Sequence, residues 1–172
     1  MKKMVIVING KGGVGKDTLV CALASYYSLM NISAIDPIKE IASKYGWNGE
    51  KDNKSRKFLS DLKRAFSNYN NLPNNYLLEQ YKIFCENDKE LLVVHIREPD
   101  QIKLFLKSVS IPHISILVTR DDINGLDNYG NYSDDNVNNY KYNYYFNNNL
   151  PIQISVSNFV SLIESALCLI YN

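Results

Sequence analysis

One stretch, "MVIVINGKGGVGKDTLV" from Met4 to Val20, limits the fold more tightly than any other. Lys2 to Asn9 is a β-branched apolar run of the kind buried inside a parallel sheet. Glycines follow at positions 10, 12, 13 and 15, and Asp17 to Met30 then reads as a helix carrying Leu19, Val20, Leu23, Ala24 and Tyr27. Strand, glycine loop and helix in that order let consecutive backbone N–H groups turn inward onto phosphate oxygens, with the positive helix end behind them. Gly10 and Gly15 hold the fixed positions of the pattern G-x-x-x-x-G-K-[ST]. Lys11, Gly12, Gly13 and Val14 lie between them, and Lys16 is set to reach β- and γ-phosphates.

The pattern departs at one position. Asp17 stands where a Ser or Thr hydroxyl would hold Mg²⁺. A carboxylate is a hard oxygen ligand that Mg²⁺ accepts readily, and it adds a negative charge that should make metal-free ATP bind poorly. The other role for Asp17 is to favour the helix N-terminus, worth about 0.3–1 kcal/mol. Thr18 keeps a hydroxyl for the α-phosphate. The expected ligands are therefore ATP on residues 10–18 and Mg²⁺ on Asp17.

Further along, Asn31–Ile35 reads as a second strand. Asp36 can N-cap the next helix, with Pro37 in its first position and Gly46 at its end. Lys54–Tyr69 is an amphipathic helix with Phe58, Leu62, Ala65, Phe66 and Tyr69 on one face, and Pro73–Asp88 is another helix. Glu90–Arg97 is a third strand, Pro99 opens a short helix, and His113–Arg120 is a fourth strand. Tyr140–Phe146 alternates as a fifth, and Ser157–Tyr171 closes the chain with Phe159, Ile163, Ala166, Leu167 and Ile170 inward. Strands alternating with helices predict an α/β three-layer sandwich with a five-stranded, mainly parallel sheet. One domain over residues 1–172 is expected, with ligands at the carboxyl ends of the strands.

Bulk properties exclude several classes. The net charge of +1 gives no general pull toward nucleic acid or an anionic membrane. No unbroken apolar run approaches the roughly 20 residues of a bilayer span. The start "MKKMVIVING" runs into the glycine loop, so it reads as a strand rather than a leader. Cys21, Cys85 and Cys168 form no metal or redox motif and read as buried, reduced thiols of a cytoplasmic protein, monomeric or homodimeric.

Two families share pieces of the loop. "KGGVGK" resembles the deviant phosphate loop of the partition and septum-positioning ATPases, in which the lysine at position 11 would cross a dimer interface. That likeness stops at the loop: those proteins carry Thr where this chain has Asp17, and their later aspartate switch has no counterpart here. "GKDT" resembles phage-type deoxynucleoside monophosphate kinases, and the likeness continues. "IDPIKEIASKYGWNGEKDNKSRKFLSDL", Ile35–Leu62, is similar to that group's acceptor-binding helices. "VVHIREPDQI" is similar to its "D.R...E" strand end, and "YKYNYYFNNN" to its last strand. The resemblance implies a nucleoside monophosphate kinase-like P-loop fold, an acceptor-binding insertion at about 36–88 and a lid at about 121–139. It also implies phosphoryl transfer from Mg·ATP to a small phosphorylated acceptor, with a nucleoside or deoxynucleoside monophosphate as first candidate.

Phosphoryl transfer needs alignment and charge cancellation, and arginine binds phosphate oxygens in pairs. Beside Lys16, the catalytic candidates are Arg97 and Arg120, both at the carboxyl ends of predicted strands. Arg97 is the first choice for the acceptor phosphate, and a salt bridge with Glu98 or Asp100 is its structural alternative. Arg56 matches the family's arginine in the acceptor helix or is a solvated helix charge. Asp36 and Lys39 complete the acceptor set, with the helix N-cap as the structural alternative for Asp36. Trp47 can stack on a base or pack, Arg64 reads as surface, and His95 reads as a core histidine.

Two features depart from the kinase pattern. Val93-Val94-His95 offers no acid where such kinases place one to orient Mg²⁺ waters; Glu98 is a substitute. The lid holds Asp121, Asp122, Asp127, Asp134 and Asp135 with no Lys or Arg between the flanking Arg120 and Lys141. Both features keep open a nucleotide-binding module or ATPase switch with little turnover.

Overall fold

A computed structural model of the chain describes residues 2–50, 52–121 and 137–171. The first strand, β1 (Met4–Asn9), is buried along its whole length. It lies at the centre of a five-stranded sheet with β2 (Leu29–Ser33), β3 (Leu91–His95), β4 (His113–Thr119) and β5 (Tyr144–Asn147). The order is β2-β3-β1-β4-β5 and every pairing is parallel. Continuous apolar strands such as "LLVV" in β3 are buried on both faces, as a helix-covered parallel sheet requires. Ile8 is in register with His95 on one side and Ile116 on the other. The chain therefore leaves β1, β3 and β4 at one edge, the edge where open α/β sheets bind ligands.

Alternation along β1 divides the interior. Met4, Ile6 and Ile8 face a core built with Leu19, Leu23, Phe159 and Ile163, from α1 (Lys16–Leu23) and α6 (Ile152–Tyr171). Val5 and Val7 face the other way, toward Leu77, Phe84, Ile102 and Phe105 of α4 (Leu72–Glu86) and α5 (Pro99–Leu106). The result is the three-layer sandwich expected. A third, smaller apolar cluster joins α2 (Asp36–Lys44) to α3 (Asn53–Asn70) through Ile38, Ala42, Leu59, Leu62 and Phe66. Helix α6 is long and apolar enough to cross a bilayer by length and composition. Here it lays Phe159, Val160, Ile163 and Ala166 into the sheet-facing core.

Local chemistry sets the insertion. Asp52 N-caps α3, its Oδ1 accepting from the Ser55 N–H at 2.6 Å. Helix α2 ends in a Schellman turn: the N–H groups of Gly46 and Trp47 donate to the carbonyls of Ser43 and Ala42. Trp47 then packs against the α2–α3 cluster, with its Nε1 buried and without a hydrogen-bond partner among the described residues. Asn71, at φ 55°, is at once the last residue of α3's cap and the residue preceding α4.

Several expectations need correction. Helix α1 stops at Leu23 rather than Met30, and β2 begins at Leu29, because Glu90 accepts from the Ser28 N–H at 2.8 Å and pins a turn before the strand. Strand β5 is confined to Tyr144–Asn147, and α6 starts at Ile152, five residues earlier than predicted. Asp36 is the first helical residue, not the cap; its Oδ2 accepts from the Ser33 N–H at 2.7 Å. The buried face of α3 is turned toward Leu59 and Lys63, leaving Phe58 and Tyr69 exposed. All three cysteines are exposed on outward helix faces rather than buried.

Glycine replacement separates backbone strain from collision. Gly46 sits at φ +101° with open space where a Cβ would go, whereas a Cβ on Gly10 would run into the Val118 carbonyl oxygen. Gly46→Ala is expected to cost about 1–2 kcal/mol. Gly10→Ala is expected to cost roughly twice that or more, because β4 must move. Urea unfolding of the two variants measures the difference.

Candidate functional site

The glycine loop is held open by side chains from distant parts of the chain. Asn9, the last residue of β1, is fully buried. Its Oδ1 accepts from the Gly10 N–H at 2.7 Å, and its Nδ2 donates to the Arg97 carbonyl at 2.9 Å and the Tyr142 hydroxyl at 2.6 Å. Tyr142 in turn donates to the Val137 carbonyl at 2.7 Å. Burial pushes the Tyr142 hydroxyl pKa upward, against the Asn9 hydrogen bond, so it stays a donor. On the other flank, Asn148 Nδ2 donates to the Val14 carbonyl at 2.8 Å. It lies so close to Gly15, at φ +92°, that a Cβ there would collide with it. Gly15 directly precedes α1, whose N-terminus points into the loop.

Lys16 curls over this loop. Its ammonium donates to the carbonyls of Gly10 at 2.6 Å and Lys11 at 2.8 Å, and the residue is only 9% exposed. Asp17 and Thr18 are exposed on the first turn of α1. Asp17 Oδ1 faces His95 Nδ1 at 4.0 Å, and His95 Nε2 meets Asn31 Oδ1 at 2.9 Å. His95 is thus not a core residue; it stands at the ligand edge. Burial, outweighing the pull of Asp17 and aided by the charges of Lys16, Arg97 and Lys39, lowers its pKa to about 4.

The insertion reaches the loop through α3. The Arg56 guanidinium lies against Gly12, where a Cβ would stand 2.8 Å from Nη1. Two turns on, Lys63 is buried and pairs with Glu98 at 2.5 Å, the two side chains being 9% and 15% exposed. Burial lowers the Lys63 pKa, Glu98 opposes that, and Arg97 adds to it. Glu98 pairs with Lys63, and Asp100 lies 3.5 Å from Lys103. Arg97 follows β3 and Arg120 follows β4, both half-buried at the ligand edge. Asp36 has its carboxyl pKa raised by burial, with the Ser33 N–H and Lys39 acting the other way, while Lys39 itself is exposed. Arg64 is on the surface, paired with Asp61 at 3.0 Å.

Of the lid, Asp122, Asp127, Asp134 and Asp135 lie outside the described residues. Asp121 is tied to the end of β5: its N–H donates to Asn149 Oδ1 at 2.9 Å, and its carboxylate accepts from Asn147 and Asn149. Sequence reading missed Asn9, Asn148, Lys63 and Tyr142. An asparagine ending an otherwise apolar buried strand is the one signal that points to such a hub, since a buried amide must find partners.

Lys16 and the Arg56 guanidinium lie at the glycine loop, beside the N-terminus of α1, and Arg97 and Arg120 follow the strands that end at the same edge of the sheet. For a metal the donor set is sparse: among the described residues no three His, Cys, Asp or Glu groups gather to cage an ion. One exposed carboxylate beside a phosphate loop fits Mg²⁺, which retains several waters and shares its ligands with substrate phosphates.

The five-stranded parallel sheet flanked by helices is a fold shared with solved structures, among them ones described as kinases. The chain is similar to a candidate kinase from Chloroflexus aurantiacus, at a TM-score of 0.61 and 14% identity over 96% of each chain. TT1252 from Thermus thermophilus gives 0.56 at 13% identity, covering 96% of this chain and 98% of that one. Shikimate kinase from Bacteroides thetaiotaomicron gives 0.51 at 15% identity, covering 94% and 98%. No protein-family model matches the chain, and no curated protein matches it in sequence.

The Lys63–Glu98 pair generates a stability test. Glu98→Gln leaves a buried ammonium without its counter-charge and is expected to cost about 3 kcal/mol. Replacing both partners, Lys63→Met with Glu98→Leu, is expected to recover most of that loss in urea denaturation.

Proposed function

We propose that the protein is an ATP-dependent phosphotransferase acting on a small phosphorylated acceptor, with a nucleoside or deoxynucleoside monophosphate as the leading candidate. The observation that carries this reading is the reach of α3. Helix α3 brings the Arg56 guanidinium against Gly12 of the loop and, two turns on, is tied by the Lys63–Glu98 pair to the residue after Arg97, so the insertion sets a cation beside the loop. Such a crevice suits two phosphate groups brought end to end.

In this reading the loop N–H groups and Lys16 hold the donor's β- and γ-phosphates. Arg97 and Arg56 orient the acceptor's phosphate, and Arg120 faces the transferring group from the base of the lid. Asp36 and Lys39 are assigned to the acceptor side. Magnesium bound through Asp17 would supply charge neutralisation at the donor phosphates. The protein's own contribution is alignment and fixed positive charge, which is most of what phosphoryl transfer asks of it.

A second reading, a nucleotide-binding module or ATPase switch, is favoured by one observation: the ligand end of β3 presents His95 instead of an acid. ADP release with Mg·ATP decides between them, run against ribo- and deoxynucleoside monophosphates and, given the structural neighbours, shikimate. Acceptor-dependent ADP production is expected and is abolished by Lys16→Met; ATP binding without turnover for any acceptor favours the second reading. Asp17→Ala is expected to weaken Mg·ATP binding about tenfold or more, and Asp17→Ser much less. Equal losses in the two variants would remove Asp17 from the metal site.

A further inference from the structure

His95 closes β3 with its ring held between side chains of two other elements. Asn31, on edge strand β2, meets Nε2 through its amide oxygen at 2.9 Å. An amide oxygen can only accept, so Nε2 donates to it, and in the neutral imidazole Nδ1 then keeps its lone pair. That lone pair is on the side of Asp17, whose Oδ1 is 4.0 Å from Nδ1. Two acceptors thus face each other across a gap too wide for a hydrogen bond between them. The gap is narrow enough for a single donor molecule to serve both, as bridging waters do. The imidazole side chain is 14% exposed and the carboxylate 87% exposed, so the pair opens from the strand end outward past the first turn of α1.

We propose that His95 is a positioning residue for magnesium: its Nδ1 accepts a hydrogen bond from a water in the hydration shell of the ion that Asp17 ligates, while Asn31 fixes the tautomer. The proposal rests on the reading that Mg·ATP occupies the glycine loop. Its chemistry follows from the ion. Magnesium gives up its waters reluctantly, so a site offering one carboxylate must hold the remaining shell through hydrogen bonds. Groups that orient that shell typically account for 10–100-fold in metal affinity. The metal-facing negative charge then comes from the loop side alone, and the strand end contributes a neutral acceptor.

The test uses the full chain, Mg²⁺ and a non-hydrolysable ATP analogue. In ¹⁵N-labelled protein, the unprotonated Nδ1 resonance of His95 is expected to move upfield when Mg²⁺ joins the analogue complex, with Nε2 remaining the protonated nitrogen. By calorimetry, His95→Ala is expected to lower Mg²⁺ affinity of the analogue complex about tenfold while metal-free analogue binding is unchanged. His95→Asn, whose amide oxygen can stand near the Nδ1 position, is expected to restore part of the loss. Asn31→Ala should shift the metal affinity in the same direction by less. An Nδ1 resonance that ignores Mg²⁺ while the analogue binds overturns the proposal. So does a His95→Ala variant that weakens metal-free and metal-loaded binding equally, the mark of a packing role. Failure of the analogue to bind at all, or metal affinity indifferent to Asp17→Ala, overturns the underlying reading and the proposal with it.

Discussion

The structure turns on one buried amide. Asn9 ends the central strand and spends its hydrogen bonds on the first loop N–H, on the main chain leaving β3, and on a tyrosine from the far side of the sheet. A buried amide with lost partners costs about 1–3 kcal/mol for each group left unsatisfied. The network therefore links loop conformation to the position of Arg97 and to the anchoring of Val137. Asn148 performs a matching task from the other flank, bonding the Val14 carbonyl and filling the space beside Gly15. Between them the two asparagines hold the loop to the sheet without a charge of their own. That leaves Lys16 as the cation within the loop's own concavity.

What the sequence revealed and what it hid follow from the range of the interactions involved. The strand–loop–helix unit, the apolar core strands β3 and β4 and the inner face of α6 are set by local pattern, and all are legible. The end of α1 is not, because the turn over Ser25–Ser28 is fixed by Glu90, 62 residues away. Tyr140–Tyr142 alternates like a strand, yet Tyr142 is drawn out of β5 by Asn9, 133 residues distant. The buried face of α3 is hidden in the sequence for the same reason: a lysine belongs inside only once Glu98 is known to meet it. Arg97 and Arg120 stand at the ligand edge because strand ends are readable. The approach of Arg56 to Gly12 depends on how the insertion folds back, which no periodicity records.

The insertion is joined to the rest in an unusual manner. Its apolar cluster of Ile38, Ala42 and Leu59 is separate from the two cores on either side of the sheet. Helix α3 meets the β3–α5 corner through polar contacts, Lys63 to Glu98 and Gln101 Nε2 to Ser67 Oγ at 3.4 Å, whereas α4 packs its apolar face against α5 and the sheet. The first of these is a buried ion pair that is costly to break, and the second is a long, weak hydrogen bond.

Asn71 gives that arrangement a mechanical consequence. A single residue in the left-handed region both finishes α3 and begins α4, so the elbow between these helices has no spare chain to flex. At the opposite end, the run from Trp47 to Asp52 between α2 and α3 contains Gly49 at φ +89°, with open space around it. The stance of Arg56 against the loop is therefore tied, through that elbow, to α4, whose Leu77 and Phe84 are fixed in the sheet-facing core.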